Sequence, residues 1–472
     1  MIGTLAFRHL WVRRIRSLFL LLGFALGVGV MVVLLSVGEA MLDQSRDVSL
    51  VGGGEVTVLP QGIDVEAMRT GGLSGMFFTI ERARFLTRQI LGGPRHAALI
   101  RTVAPSIEGK LLYLCPARGP CAPTPVRAGG EIPSRTAALG AGLDLRAGRW
   151  SDTRADSAYV LPTAQQLYDE LDRFHVPRRP DSTWGEWHYF NFVTSPNEWW
   201  YVTYLVGGAL PSGRWGGRML ITHRRPDGRY DRYTAEAPPK LVTFDTTRAD
   251  LTIGESYVRQ RNGVYELRAR GAGRAGTVRL DLSLRPARNR YFPPVELREE
   301  ELLSGYVVPA LAGTADGRVC TGAGCRNVDA VPAYHDHNWG VWREVTWEWG
   351  AAQGDRLSLL YGGVYGPDAT TSPFFLTLVD SLGVRQVLRF GRIDYRPEGV
   401  ALPTRFTLTA ARDADTIHLA VDVRHALTTD MSAAAFRRTF VQMRGGFALK
   451  GKLAGRTITD AGEGFFETYL TR

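Results

Sequence analysis

This sequence predicts a mainly β fold: antiparallel strands closing a sandwich or barrel, preceded by one apolar helix and a small mixed α+β region. Three observations predict it. From about residue 182 the chain runs in short segments of alternating apolar and polar residues, the pattern of strands with one buried face. Turn signals separate those segments, notably Pro226-Asp227-Gly228 and Asn262-Gly263, the latter a dipeptide suited to a two-residue hairpin. Near the N-terminus, Leu18 to Val37 carries no charge.

The elements follow in chain order. At about 1.5 Å per residue, the uncharged run spans a bilayer core of roughly 30 Å. Arg8, Arg13, Arg14 and Arg16 precede it, and Glu39, Asp43 and Asp47 follow. The positive-inside rule then places the N-terminus in the cytoplasm and the rest outside it, as a single-pass inner-membrane protein with a large periplasmic part. A cleaved signal peptide is the rival, with Gly38 and Ala40 as its small-residue site, but its apolar stretch is shorter, about 7 to 15 residues. Residues 43–180 mix a strand-like Glu55 to Leu59 with helical stretches at Ile80 to Leu91 and Thr163 to Phe174, and Pro177 to Pro180 makes a linker. Strand-like segments then include Arg218 to Arg224, Arg229 to Tyr233, Tyr257 to Gln260, Val264 to Ala269, Thr277 to Arg285, Arg356 to Tyr361, Phe374 to Val379, Arg405 to Thr409 and Thr416 to Val423.

The 472 residues exceed one compact core, and about 100 to 200 residues per domain gives an anchor plus three units. We place them at 1–42, 43–180, 181–335 and 336–472. The net charge of +10 is concentrated before the apolar run and otherwise spread thinly, with no basic stripe or motif for nucleic acid. Four cysteines fall in two close pairs, Cys115 with Cys121 and Cys320 with Cys325, which suits two local disulfides in an oxidising compartment. A four-cysteine zinc site and free thiols are the alternatives.

Chemistry concentrates in two aromatic clusters. One contains Trp184, Glu186, Trp187, His188, Tyr189, Trp199 and Trp200, and the other Trp339, Trp342, Trp347 and Trp349. Core filling accounts for such residues, and so does a pocket for a large apolar ligand. Between them runs Ala333-Tyr334-His335-Asp336-His337-Asn338-Trp339-Gly340. In a strand, His335, His337 and Trp339 share one face and Asp336 and Asn338 the other. Two histidines two apart can also grip a metal, but no third ligand is evident, so no metal or cofactor is expected. A buried, hydrogen-bonded histidine pair is the further alternative.

The octet, with Glu186-Trp187-His188-Tyr189-Phe190 upstream and Gly462-Glu463-Gly464-Phe465-Phe466-Glu467 near the C-terminus, resembles the AttH-like family that includes hydroxyneurosporene synthase, a carotenoid hydratase. Tyr334 to Gly340 matches its Tyr-His-Asp-His-Asn-Trp-Gly motif. His188 departs from the family's second tryptophan. The resemblance implies two tandem lipocalin-like antiparallel β-barrels, with the histidine motif near their junction, and an isoprenoid, carotenoid or lipid as ligand. It also implies acid-initiated hydration: Asp336 or His337 as acid, Trp339 as cation-stabilising face, and Tyr365 or Tyr361 with Asp368 ordering water. Pro367 and the wider spacing of Tyr365 and Asp368 depart from the family's pattern. The remaining aromatic and polar residues named above, with His335, Asn338 and Tyr361, would line the ligand site.

The first forty residues resemble the start of FtsX/MacB-like ABC-transporter permeases, through Leu5-Ala6-Phe7-Arg8-His9-Leu10, Arg13-Arg14-Ile15-Arg16-Ser17, Gly23, Gly27-Val28 and Leu35-Ser36-Val37-Gly38. Leu143 to Trp150 is similar to their exported domain. No second apolar run of about 18 residues occurs, so the chain would not itself form a pore. Two functions follow as expectations. One is a tethered lipocalin-like protein that binds an apolar molecule and serves ABC transporter subunits. The other is a hydratase or cyclase of an isoprenoid.

Overall fold

In a computed structural model the described residues are 14–46, 58, 80–92, 95, 97–115, 123–139, 153–155, 169, 172–176, 183–298, 303–342, 345–365, 374–399, 401–431 and 438–471. The expected strand at Glu55 to Leu59 and the permease-like tract at Leu143 to Trp150 fall outside them, apart from Val58. So do Asp368, Cys121 and the proline-flanked linker.

The chain divides into two compact units. The first unit, residues 1–92 and 96–161, contains helix α1 (Arg14–Arg46), helix α2 (Ile80–Gly92), the hairpin of β1 (Ser106–Leu114) and β2 (Thr124–Glu131), and the short helix α3 (Pro133–Ala138). The uncharged run lies within α1, where Phe19 and Leu26 are each 71% exposed. Over the described residues alone, no helix is long and apolar enough to cross a membrane.

The second unit is almost wholly β. Its strands are β3 (Trp184–Ser195), β4 (Glu198–Ala209), β5 (Arg214–Arg224), β6 (Tyr230–Ala237), β7 (Val242–Phe244), β8 (Asp250–Ile253), β9 (Ser256–Arg261), β10 (Val264–Gly273), β11 (Gly276–Pro286), β12 (Phe292–Arg298), β13 (Leu303–Thr321) and β14 (Gly324–Val341). A second set follows: β15 (Thr346–Gly354), β16 (Ser358–Tyr365), β17 (Phe374–Asp380), β18 (Gly383–Phe390), β19 (Ile393–Arg396), β20 (Arg405–Arg412), β21 (Asp415–Asp430), β22 (Arg438–Leu453) and β23 (Arg456–Thr471).

Each set closes on itself. The first runs β11-β13-β14-β3-β4-β5-β6-β10 and returns through β10 pairing with β11. The second runs β18-β17-β16-β15-β23-β22-β21-β20 and returns through β18 pairing with β20. Both are eight-stranded antiparallel barrels, as the family resemblance implies, and eight strands leave an interior that side chains alone can fill. The Asn262-Gly263 signal is one reason the first barrel registers as it does. Both residues have positive φ, 51° and 79°, and Arg261 pairs with Val264 across the turn.

Two expected boundaries move. β14 pairs with β13 through Gly340 and with β3 through Val341, so residues 336–341 belong to the first barrel and the change of barrel comes after 341 rather than after 335. Asp172 to Val176 also belongs with that barrel. Phe174 is buried there, stacked on Phe244 at 4.6 Å. Neither shift is visible in composition, because an apolar-polar alternation carries no mark of which barrel a strand joins.

Alternation sorts the side chains into three layers. Inward residues such as Phe190, Phe192, Trp200, Tyr204 and Tyr265 fill the first barrel, and Tyr361, Phe374, Leu376, Phe406 and Phe466 fill the second. Outward residues of the facing strands meet in a third core between the barrels: Tyr189, Trp199, Tyr201, Tyr306 and Tyr334 from one side, Trp349, Phe375 and Phe465 from the other. Glycines admit the rings. A Cβ on Gly305 would lie 2.1 Å from Trp339, and one on Gly350 would lie 2.3 Å from Tyr361. Cys320 and Cys325 form a disulfide across the β13–β14 hairpin, as the pairing by spacing suggested.

Candidate functional site

β14 carries polar chemistry on both faces. As the strand periodicity predicts, His335, His337 and Trp339 turn into the first barrel, while Tyr334 and Asp336 turn out toward the second. The two faces build two different sites.

Inside the barrel, five fully enclosed ionisable groups form one network. Asp172 Oδ1 accepts from His337 Nδ1 at 2.8 Å, and Oδ2 stands 3.0 Å from His335 Nε2. His337 Nε2 reaches Glu186 Oε1 at 2.9 Å. Glu186 Oε1 also accepts the His175 backbone N–H at 2.5 Å, and the His175 ring stacks on Trp339 at 3.7 Å. Burial pushes His337 down, but its bonds to Asp172 and Glu186 carry it up to about 9. Burial raises Asp172, yet the three surrounding histidines hold it well below the usual carboxylate range. Burial keeps His188 well below the usual imidazole range, aided by the charge of His337. Two triads lie within metal-ligand reach, Asp172 with His188 and His337, and His175 with Glu186 and His337.

Between the barrels lies a carboxyl pair. Asp336 Oδ2 accepts from Tyr334 Oη–H at 2.7 Å and Oδ1 from Asn338 Nδ2 at 2.6 Å. Tyr334 in turn accepts from Trp349 Nε1 of the second barrel at 3.0 Å. Burial pushes Asp336 up to about 8; the hydrogen bond from Tyr334 opposes this and the charge of Glu467 adds to it. Glu467, from β23, is also raised by burial; it accepts from Trp347 Nε1 and Gln442 Nε2, each at 3.0 Å. Tyr189, Phe465, Tyr306 and Trp349 belong to the same inter-barrel core, and among the described residues the buried Tyr189 hydroxyl has no hydrogen-bond partner.

The residues singled out in the sequence therefore separate. Asp336, Tyr189, Trp199, Trp347 and Trp349 stand in or beside the inter-barrel layer, with Asn338, Trp187 and Trp342 at its partly exposed margin. Glu186, His188, Trp200, His335, His337 and Trp339 lie inside the first barrel and Tyr361 inside the second, each enclosed by neighbouring side chains. Tyr365 is only partly buried and packs on Phe374. Asp172, Tyr334 and Glu467 were not singled out as site residues. Asp172 had no signal beyond a carboxylate just before Phe174-His175. Glu467 had one, an acid among aromatics in a strand.

No protein-family model matches the chain, and no curated protein sequence matches it. Among solved structures it is similar to a putative AttH from Nitrosomonas europaea, at 13% identity and TM-score 0.44, covering 65% of this chain and 96% of that one. It is also similar to CghA with Sch210972, at 12% identity and TM-score 0.45, covering 64% and 94%. A third similarity is to kievitone hydratase from Nectria haematococca, at 13% identity and TM-score 0.41, covering 62% and 91%.

Proposed function

We propose that the layer between the barrels binds an apolar, unsaturated molecule such as an isoprenoid and protonates one of its double bonds. One observation carries this reading: two buried carboxyls, Asp336 from one barrel and Glu467 from the other, share a single aromatic layer. Two like charges in a dry site oppose each other's ionisation, so the pair retains a proton. The Asp336 O–H bond breaks as a C–H bond forms, the π pair is consumed, and a tertiary cation remains. The faces of Tyr189, Tyr306, Trp349 and Phe465 stabilise that cation without supplying a nucleophile. Water then forms the C–O bond and its proton returns to a carboxylate, or an internal double bond captures the cation to close a ring and the new ring cation loses a neighbouring C–H proton to the Asp336 carboxylate, leaving a double bond.

The experiment is to incubate the full chain with an acyclic carotenoid and look by mass spectrometry for addition of one water or an isomeric ring product. General acid catalysis contributes about 10²- to 10⁴-fold, so Asp336→Asn lowers turnover by at least ~100-fold. Glu467→Gln lowers it as well. Product from Asp336→Asn at the wild-type rate refutes the assignment.

A second reading, a tethered carrier serving an export system, draws support from α1, whose apolar side chains are exposed along its described length. Tight retention of the carotenoid without product favours that reading. On either reading the exposed helix would hold the barrels beside a lipid surface.

A further inference from the structure

The interior of the first barrel holds polar chemistry that acid catalysis between the barrels does not use. Asp172 and Glu186 are fully enclosed, and among the described residues neither is paired with an arginine or lysine. Carboxylates buried in this way need a local positive charge, which the facing imidazoles of His335 and His337 carry when protonated and a bound cation would carry in their place. Asp172, His188 and His337 place ligand atoms within 4.8 Å of one another. His337 Nδ1 is 2.8 Å and His188 Nδ1 3.7 Å from Asp172 Oδ1. Tetrahedral zinc, with bonds of about 2.0 to 2.2 Å, sets neighbouring ligand atoms roughly 3.3 Å apart, and the two separations bracket that value.

His188 is the independent observation. Its ring is sealed from solvent, 4.0 Å from the His337 ring, and among the described residues neither nitrogen has a hydrogen-bond partner. Buried imidazoles in folded proteins are almost always satisfied, so a ring nitrogen 3.7 Å from Asp172 Oδ1, too far for a hydrogen bond, is unfinished chemistry. The surrounding bonds supply what metal-bound groups require. His337 Nε2 lies 2.9 Å from Glu186 Oε1, the carboxylate partner that orients a ligating imidazole, and Asp172 Oδ2 is braced by His335.

We propose that Asp172, His188 and His337 bind one divalent transition-metal ion, with zinc as the fitting probe, inside the first barrel. His337 gives its Nδ1 lone pair to the ion while its Nε2–H donates to Glu186. The ion ties the segment around Asp172 to β3 and β14. Three protein ligands leave a fourth position for water or a neighbouring donor, and the enclosure of all three confines the ion within the barrel. The triad of His175, Glu186 and His337 is the weaker cradle, since Glu186 Oε1 already accepts from the His175 backbone and from His337.

The test uses the full chain without a histidine tag, stripped with a chelator and titrated with cobalt(II) and zinc. The expected result is one ion per chain, visible ligand-field bands with cobalt, and a lower unfolding temperature after chelation. His188→Phe, which keeps a ring against His337, lowers affinity by more than about 100-fold, beyond the roughly 10- to 100-fold expected when Glu186→Gln removes an outer partner. His175→Phe keeps the site. A folded wild-type chain that takes up neither ion overturns the proposal, as does a His188→Phe chain that binds as tightly as wild type. Should His188→Phe fail to fold, the wild-type titration decides alone.

Discussion

Glu348 offers a measurable link between burial and pH. The side chain lies in the second barrel, where Oε2 accepts from Tyr395 Oη–H at 2.6 Å and Oε1 from Thr468 Oγ–H at 2.7 Å. Burial pushes its carboxyl from 4.5 up to about 7 despite those two bonds. The folded protein therefore holds a proton that the unfolded chain releases. The stability this confers is fully present below about pH 4.5 and is lost as pH rises through 7. At 1.36 kcal/mol per unit, the loss is about 3 kcal/mol. Glu348→Gln keeps the shape and stays neutral, so it mimics the protonated acid. Near pH 5 the variant and wild type should unfold within about 1 kcal/mol of each other, the worth of a re-formed hydrogen bond. At pH 8 the variant should be more stable by up to about 3 kcal/mol. Urea unfolding followed by tryptophan fluorescence at both pH values measures the difference. An identical gap between variant and wild type at pH 5 and pH 8 would refute the burial argument.

Three further perturbations test the packing. Gly305→Ala drives a methyl into the Trp339 ring, displacing His175 stacked on it, and should cost about 1 to 3 kcal/mol in a thermal melt. Arg290 bonds Ser358 Oγ and Val379 O of the second barrel, each at 2.8 Å; Arg290→Met should loosen the barrel junction and increase proteolysis there, with circular dichroism in the far ultraviolet unchanged. Cys320→Ser with Cys325→Ser opens a loop of sequence separation five and should cost roughly 2 kcal/mol, read as a lower denaturation midpoint.

Barrel architecture was legible because its signals are local. Alternation in segments such as Val264 to Ala269, and the Asn262-Gly263 turn, fix strand and hairpin without knowledge of the rest of the chain. The face assignment on β14 was legible for the same reason, since a period of two needs only the strand itself. What lay hidden depends on distant contacts. Asp172 is separated by 165 residues from the His337 ring it holds, and its own neighbourhood reads as a helix end before a linker. The change of barrel after Val341 is set by pairing with β3, and nothing between residues 335 and 345 marks it.

That two-faced strand also explains why aromatic content alone does not place the proposed ligand. Counted by composition, Trp200 and Trp349 are equivalent candidates for a pocket. Trp200 is fully buried in the first barrel with its ring stacked on His223 at 3.6 Å, so a guest would have to displace packed core. Trp349 keeps 7% of its surface accessible and gives its N–H to Tyr334, one bond from Asp336. An apolar guest that separates the facing walls disturbs few barrel hydrogen bonds, whereas one that enters a barrel must unpack it. Trp349→Phe, which removes that N–H and leaves a ring, should therefore change ligand affinity and the accessibility of Asp336 with little effect on the melting of either barrel. The converse swap, Trp200→Phe, should lower stability by about 1 to 3 kcal/mol and leave ligand affinity alone. If fluorescence titration with a carotenoid instead responds to Trp200→Phe and ignores Trp349→Phe, the ligand enters the barrel and the inter-barrel assignment is wrong.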